Sequence, residues 1–230
     1  MSIYTISDLH LSFGADKPMD IFRGWENHAF RIEKNWKNLI CDNDTVVLPG
    51  DLSWSLKLEE AKPDFAFLNS LPGKKILLKG NHDLWWGTAK KLQEFLNNNN
   101  FSTINFIFNN TIVSEGFAVC GTRGWFYDDV SSDKKVILRE AGRLRMSIDA
   151  AMATGLKPLV FLHYPPVYGE QVCEEIFSVL KEKDIKKIYY GHIHGIGRNN
   201  IVAEYDGISF KLVSSDCIDF TPFCISCEKK

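Results

Sequence analysis

The chain has 230 residues, 45% of them hydrophobic and 24% charged, with a formal net charge of −2. That length is enough for one domain of generous size, so a single domain over residues 1–230 is expected, with a sizeable core and a soluble, globular surface. The near-neutral balance creates no global field toward nucleic acid, and no stretch approaches the roughly 18 apolar residues of a membrane-spanning helix.

In chain order, strand and helix signals alternate. Residues 3–7 read as a strand, and residues 28–40 as a helix whose apolar stripe is Phe30, Trp36, Leu39 and Ile40. Residues 45–48 form a second strand, stopped by Pro49-Gly50. Residues 59–71 are helical despite Pro63, which suits a first turn. A third strand covers 75–79 and a third helix 87–97. Beyond the polar run of residues 97–100, three short strands (104–108, 111–114, 117–120) are separated by Asn109-Asn110 and Glu115-Gly116, both spaced as hairpin turns. Residues 133–153 make the longest helix, 158–162 a strand, 170–183 a helix and 187–190 a strand. Two final strands, 201–205 and 208–213, flank Asp206-Gly207, a strong hairpin signal. No charged segment followed by an apolar one opens the chain, so no signal peptide is expected, and the location expected is cytoplasmic. The six cysteines are then mostly reduced thiols, with Cys224 and Cys227 read as two thiols of a tail rather than a redox or zinc motif.

Polar clusters stand where strands should end: Asp8-Leu9-His10, Gly50-Asp51, Gly80-Asn81-His82-Asp83, His163 and Gly191-His192-Ile193-His194. Such groups are poor core material, because each needs a partner if buried. Of the six histidines, five lie at or just beyond strand ends; His28 alone sits at a helix start and reads as a surface or capping residue. In α/β folds ligands gather beyond the carboxyl ends of strands. Nitrogen and oxygen donors without thiolate suit first-row ions rather than calcium. The donors exceed what one tetrahedral ion takes, so two ions are expected, with Asp51 the candidate bridge.

These five blocks, in this order, resemble the calcineurin-like metallophosphoesterase superfamily, whose pattern is D-x-H, G-D, G-N-H-[DE], H and G-H-x-H. The resemblance implies an α/β fold, a β-sandwich of two mixed sheets flanked by helices. It implies that Asp8, His10 and His194 hold one ion and Asn81, His163 and His192 a second, with Asp51 between them; the ions would be divalent or trivalent Mn, Fe, Zn, Co or Ni. It further implies a phosphate-ester substrate attacked in line by a hydroxide shared between the ions, with His82 facing the scissile phosphate and Asp83 orienting His82.

Other residues carry weaker signals. Arg123, between Gly121-Thr122 and Gly124, could bind a substrate phosphate bidentately or be a turn arginine. Arg139 and Arg143 share a helix face that reads as solvated. Trp54, Trp85, Trp86, Trp125, Phe126 and Tyr164 could line a site, although packing at the core edge is the ordinary role of such residues. Two alternatives to a phosphoesterase of small substrates are a metal-dependent nuclease, which would need a basic stripe, and a metal-binding scaffold without turnover.

Overall fold

The computed structural model describes residues 1–125 and 134–226. The first half runs β1 (Ile3–Thr5), α1 (His28–Leu39), β2 (Thr45–Pro49), α2 (Lys62–Ser70), β3 (Lys74–Leu78), α3 (Ala89–Asn98) and β4 (Ile104–Phe106). The second half continues with β5 (Ile112–Ser114), β6 (Phe117–Thr122), α4 (Lys134–Met152), β7 (Lys157–Leu162), β8 (Val167–Tyr168), β9 (Gln171–Val172), α5 (Glu174–Glu182), β10 (Lys187–Tyr190), β11 (Glu204–Tyr205), β12 (Ile208–Leu212) and β13 (Phe223–Cys224).

Two mixed sheets result. One has the order β13-β1-β2-β3-β4 and the other β11-β12-β10-β7-β6-β5; both are parallel inside, the first with one antiparallel edge strand, β13, and the second with two, β11 and β5. The inner strands are apolar on both faces. Val46 and Leu48 of β2 join the cluster under α1, α2 and α3, while Val47 points into a core shared with the other sheet. β7 repeats this with Val160 and Leu162 under α4 and α5, and Leu159 and Phe161 between the sheets. This period-2 division of an unbroken apolar run is what a strand covered on both sides requires. The fold is therefore the expected sandwich of two mixed sheets between helices.

Several local expectations fail. Asn109-Asn110 is not a hairpin turn: β4 pairs in parallel with β3, β5 pairs antiparallel with β6, and the dipeptide lies where the chain passes from one sheet to the other. The helix expected from residue 170 starts at Glu174, after the small β8–β9 hairpin. The buried stripe of α1 is His28, Ile32 and Trp36, spaced by four, whereas Phe30 and Leu39 are exposed. Cys224 is disulfide-bonded rather than a free thiol, and Cys227 lies outside the described residues. So does Phe126. The Glu115-Gly116 and Asp206-Gly207 turns form as expected, all four residues having positive φ as a two-residue hairpin loop demands. Among the described residues no helix is long and apolar enough to cross a membrane.

Candidate metal centre

The polar clusters meet. Asp8 and His10 follow β1, Asp51 follows β2, Asn81 follows β3, His163 follows β7, and His192 and His194 follow β10. Asp8, His10, Asp51 and His192 all have positive φ, a conformation that costs about 1 kcal/mol or more for a residue with a Cβ. It breaks the extended path of the chain beyond the strands, where these polar side chains gather. Two glycines make the close approach possible. A Cβ on Gly80 would fall on the Asp51 carboxylate, and one on Gly191 on the Ser7 hydroxyl and the Asp8 carboxylate.

Two groups of donors form. In the first, His194 Nε2 is 3.3 Å from Asp8 Oδ1 and 3.4 Å from His10 Nε2. In the second, His163 Nε2 lies 2.6 Å from Asn81 Oδ1 and 3.5 Å from Asp51 Oδ2, and His192 Nδ1 lies 3.0 Å from the same Asn81 oxygen. Asp51 Oδ2 is also 3.9 Å from His10 Nε2, so this one oxygen stands between the groups. Asp8 with His10 and His194, and Asp8 with Asp51 and His163, are each spaced to hold a metal ion.

The tautomers support a cation. His163 Nδ1 contacts the Pro49 carbonyl at 3.0 Å, which requires the proton on Nδ1 and leaves the Nε2 lone pair facing the Asn81 and Asp51 oxygens. Lone pairs aimed at one another at such distances repel unless a cation lies among them. His194 Nδ1 likewise donates to Asp216 Oδ1 at 2.7 Å, directing Nε2 at Asp8 and His10. Burial holds His10 and His163 down to about 3, hence neutral and able to ligate. Burial also opposes protonation of His194, but Asp216 and Asp8 raise it to about 10, so a proton and a cation compete for its Nε2. Burial would raise Asp8 too, yet its bond to His194 and three neighbouring imidazoles hold it below the usual carboxylate range. Asp51 is pushed well up by burial and by the carboxylates of Asp83 and Asp8, repulsion that a metal ion would offset.

Asp83 does not orient His82. Its buried carboxylate accepts from the backbone N–H groups of Gly80 at 2.8 Å and of Asp51 and Leu52 at 2.9 Å, and no hydrogen bond joins it to the His82 ring. It ties the loop after β2 to the loop after β3. Burial raises it to about 6 against these bonds. His82 is half-buried, and its own N–H donates to Asp51 Oδ1 at 2.8 Å. His28 is not at the surface. It is buried, with its ring 5.5 Å from that of Trp25, which in turn stands 5.7 Å from the His10 ring.

A cavity of about 730 Å³ opens over the cluster, bordered by His10, Asp51, His82, His192 and His194. Trp54 stacks on His10 at 4.7 Å and lies 4.3 Å from His82, forming one wall. The opposite part is made by residues that no motif marked: Trp25 and Phe220, with Arg23, Arg31 and Arg198. Asp216 was missed as well, although it follows β12 as the other polar clusters follow their strands. Arg123 is not in this cavity. Its guanidinium lies over Trp125 at 4.4 Å and 3.7 Å from Glu140, in a separate recess. Trp85 is buried in the core and Trp86 borders that second recess, whereas the Tyr164 ring packs 4.2 Å from His192.

A family model described as calcineurin-like phosphoesterase matches residues 1–195. An uncharacterized protein of Methanocaldococcus jannaschii is 34% identical over 86 residues, which are 35% of this chain and 46% of that protein, so the match spans less than half of the relative's length. A solved protein of unknown function from Aquifex aeolicus shares the fold with a TM-score of 0.53 at 16% identity, covering 99% of this chain and 97% of that one. A phosphopantetheinyl hydrolase from Mycobacterium tuberculosis aligns with a TM-score of 0.48 at 17% identity, over 93% of this chain and 88% of its own.

Proposed function

Since the chain belongs to the calcineurin-like phosphoesterase family, we propose that it hydrolyses phosphate mono- or diesters at a centre of two divalent or trivalent first-row ions. The observation that carries this reading is Asp51 Oδ2, which lies 3.9 Å from His10 Nε2 and 3.5 Å from His163 Nε2 and so can serve both donor groups. Asp8, His10 and His194 would hold one ion with Asp51; Asn81, His163 and His192 the other. Two such ions, when bound, supply a nucleophile from water near neutral pH and draw charge from the phosphate oxygens.

The chain's own residues do the rest. Trp54 fixes the His82 ring at the floor of the cavity, where its N–H can meet a phosphate oxygen or the leaving oxygen as charge develops. Asp83 positions rather than reacts, by holding the backbone on either side of Asp51. Arg23 and the aromatic wall favour an anionic substrate that carries an apolar or planar part. An uncharged wall alone would not select for such a molecule.

A screen of Mn, Fe, Zn, Co and Ni against aryl mono- and diesters and linear and cyclic nucleotides identifies the ion and the ester. His82→Ala should keep both metals and lose about 10²–10⁴-fold in turnover, whereas Asp51→Asn should lose metal and turnover together. Equal loss of metal and rate in His82→Ala would mean that His82 supports the ions rather than the reacting phosphate.

A further inference from the structure

A second cavity, of about 320 Å³, lies apart from the cluster, between the ends of β3 and β6, the first turn of α3 and the second and third turns of α4. Lys79, Arg123 and Arg143 line it with a single carboxylate, Glu140, an excess of two positive charges. Glu140 is already committed: it accepts from Arg143 at 2.6 Å and from the Thr122 hydroxyl at 2.7 Å. Arg123 reaches it only at 3.7 Å, and the Arg123 Nε is buried with no hydrogen-bond partner. Lys79 is half-buried and makes no hydrogen bond or ion pair among the described residues. Two cationic groups are thus drawn partly out of water beside each other, without a matching anion among the described residues, an arrangement that costs free energy unless a ligand neutralises it.

The rest of the wall narrows the ligand. Thr88 and Ala89 are the cap and first residue of α3, the helix end whose dipole also favours negative charge. Trp86, Ile107 and Phe108 give an apolar side. The volume is at the small end of ligand sites, enough for a phosphate group with a short substituent. We propose that this cavity binds a phosphate dianion, free or as a small monoester, through Lys79 and Arg123, as a site separate from the metal centre. Arg123 offers a planar fork for two phosphate oxygens, and Lys79 a point charge for the third. The site touches both halves of the centre through the backbone. Lys79 directly precedes Gly80-Asn81, and the Arg123 carbonyl accepts the N–H groups of His163 at 3.1 Å and Tyr164 at 2.9 Å.

The test is the number of inorganic phosphate sites on the metal-loaded protein, counted by calorimetry at physiological ionic strength. Lys79→Gln and Arg123→Gln should each bind one phosphate fewer than the wild type, or bind it about tenfold more weakly. That difference of one is expected whether or not phosphate also binds at the metals, so it is read independently of the proposed hydrolysis. Wild type and both variants binding the same number with equal affinity would overturn the proposal. If neither variant folds, labelling of Lys79 by acetic anhydride in the wild type decides instead. Protection by saturating phosphate is expected, and labelling unchanged by phosphate would overturn the assignment.

Discussion

Asp216 shows how much of this site depends on a residue that lies behind the donors. Its carboxylate accepts from His194 Nδ1 at 2.7 Å and is itself held by Arg198 at 2.8 Å. With Nδ1 protonated, Nε2 keeps its lone pair for the cluster; without an acceptor the ring is free to turn or to change tautomer. Asp216→Ala should therefore weaken manganese binding by about 10–100-fold. Asp216→Asn keeps an acceptor but not the charge, and should fall between Ala and wild type. Manganese titration followed by electron paramagnetic resonance measures both, and equal affinity in all three proteins would show that His194 needs no such partner. Ordinary contact chemistry explains why the donors themselves were legible and Asp216 was not. The donors sit in blocks whose members are adjacent in sequence, such as Asp8 with His10, whereas Asp216 acts on a ring 22 positions away. The same holds for Asp83, whose neighbour in sequence, His82, suggested a partner that its actual bonds to Gly80, Asp51 and Leu52 replace.

Among the elements, β3 carries the cost of one buried cation. Lys75 is fully buried; its ammonium donates to the Leu71 carbonyl and, at 3.2 Å, to the Thr103 hydroxyl. Burial lowers it from the ordinary 10.5 to about 8. Between those values the unfolded chain binds more protons than the folded one, so this residue makes stability rise with pH across the window and contributes no slope below it. Lys75→Met removes the effect. The melting temperature of the wild type should gain on that of the variant as pH goes from 8 to 10, and the gap should be constant from pH 6 to 7.5. A gap that stays constant throughout would mean that Lys75 keeps its proton in the folded chain up to pH 10, so that burial does not lower it. Element by element, the apolar runs that became β2, β3, β7 and β10 were legible because a strand covered on both faces has no polar side. β8, β9 and β13 were not. Each has only two residues, too few to show a period. Asn109-Asn110 misled for a related reason: a turn dipeptide reports local conformation, while the partner of β4 is chosen by Leu77 and Ile76 of β3, far off in sequence.

For the molecule as a whole, the donors come from both sheets. Asp8, His10, Asp51 and Asn81 belong to the first, and His163, His192 and His194 to the second. An ion held by residues of both would therefore join the open ends of the sandwich. The sheets are also joined by an apolar layer that needs no ion: Ile3, Val47, Ile76 and Leu78 on one side meet Val119, Leu159, Phe161, Tyr189 and Val213 on the other. Fully burying residues of this kind contributes roughly 1.5–3 kcal/mol each before the entropy of ordering them is counted. The layer should therefore keep the sheets one cooperative unit when metal is removed, and bound ions should displace the transition without dividing it. At about a thousandfold excess over the dissociation constant, linkage gives about 4 kcal/mol per ion, or on the order of 10 °C for a chain of this size. Differential scanning calorimetry of the metal-loaded, chelated and Asp51→Asn proteins tests this. One transition in every sample is expected, lower after chelation, and unaffected by manganese in Asp51→Asn. Two transitions in the chelated wild type would mean that the ions, not the apolar layer, hold the two sheets together.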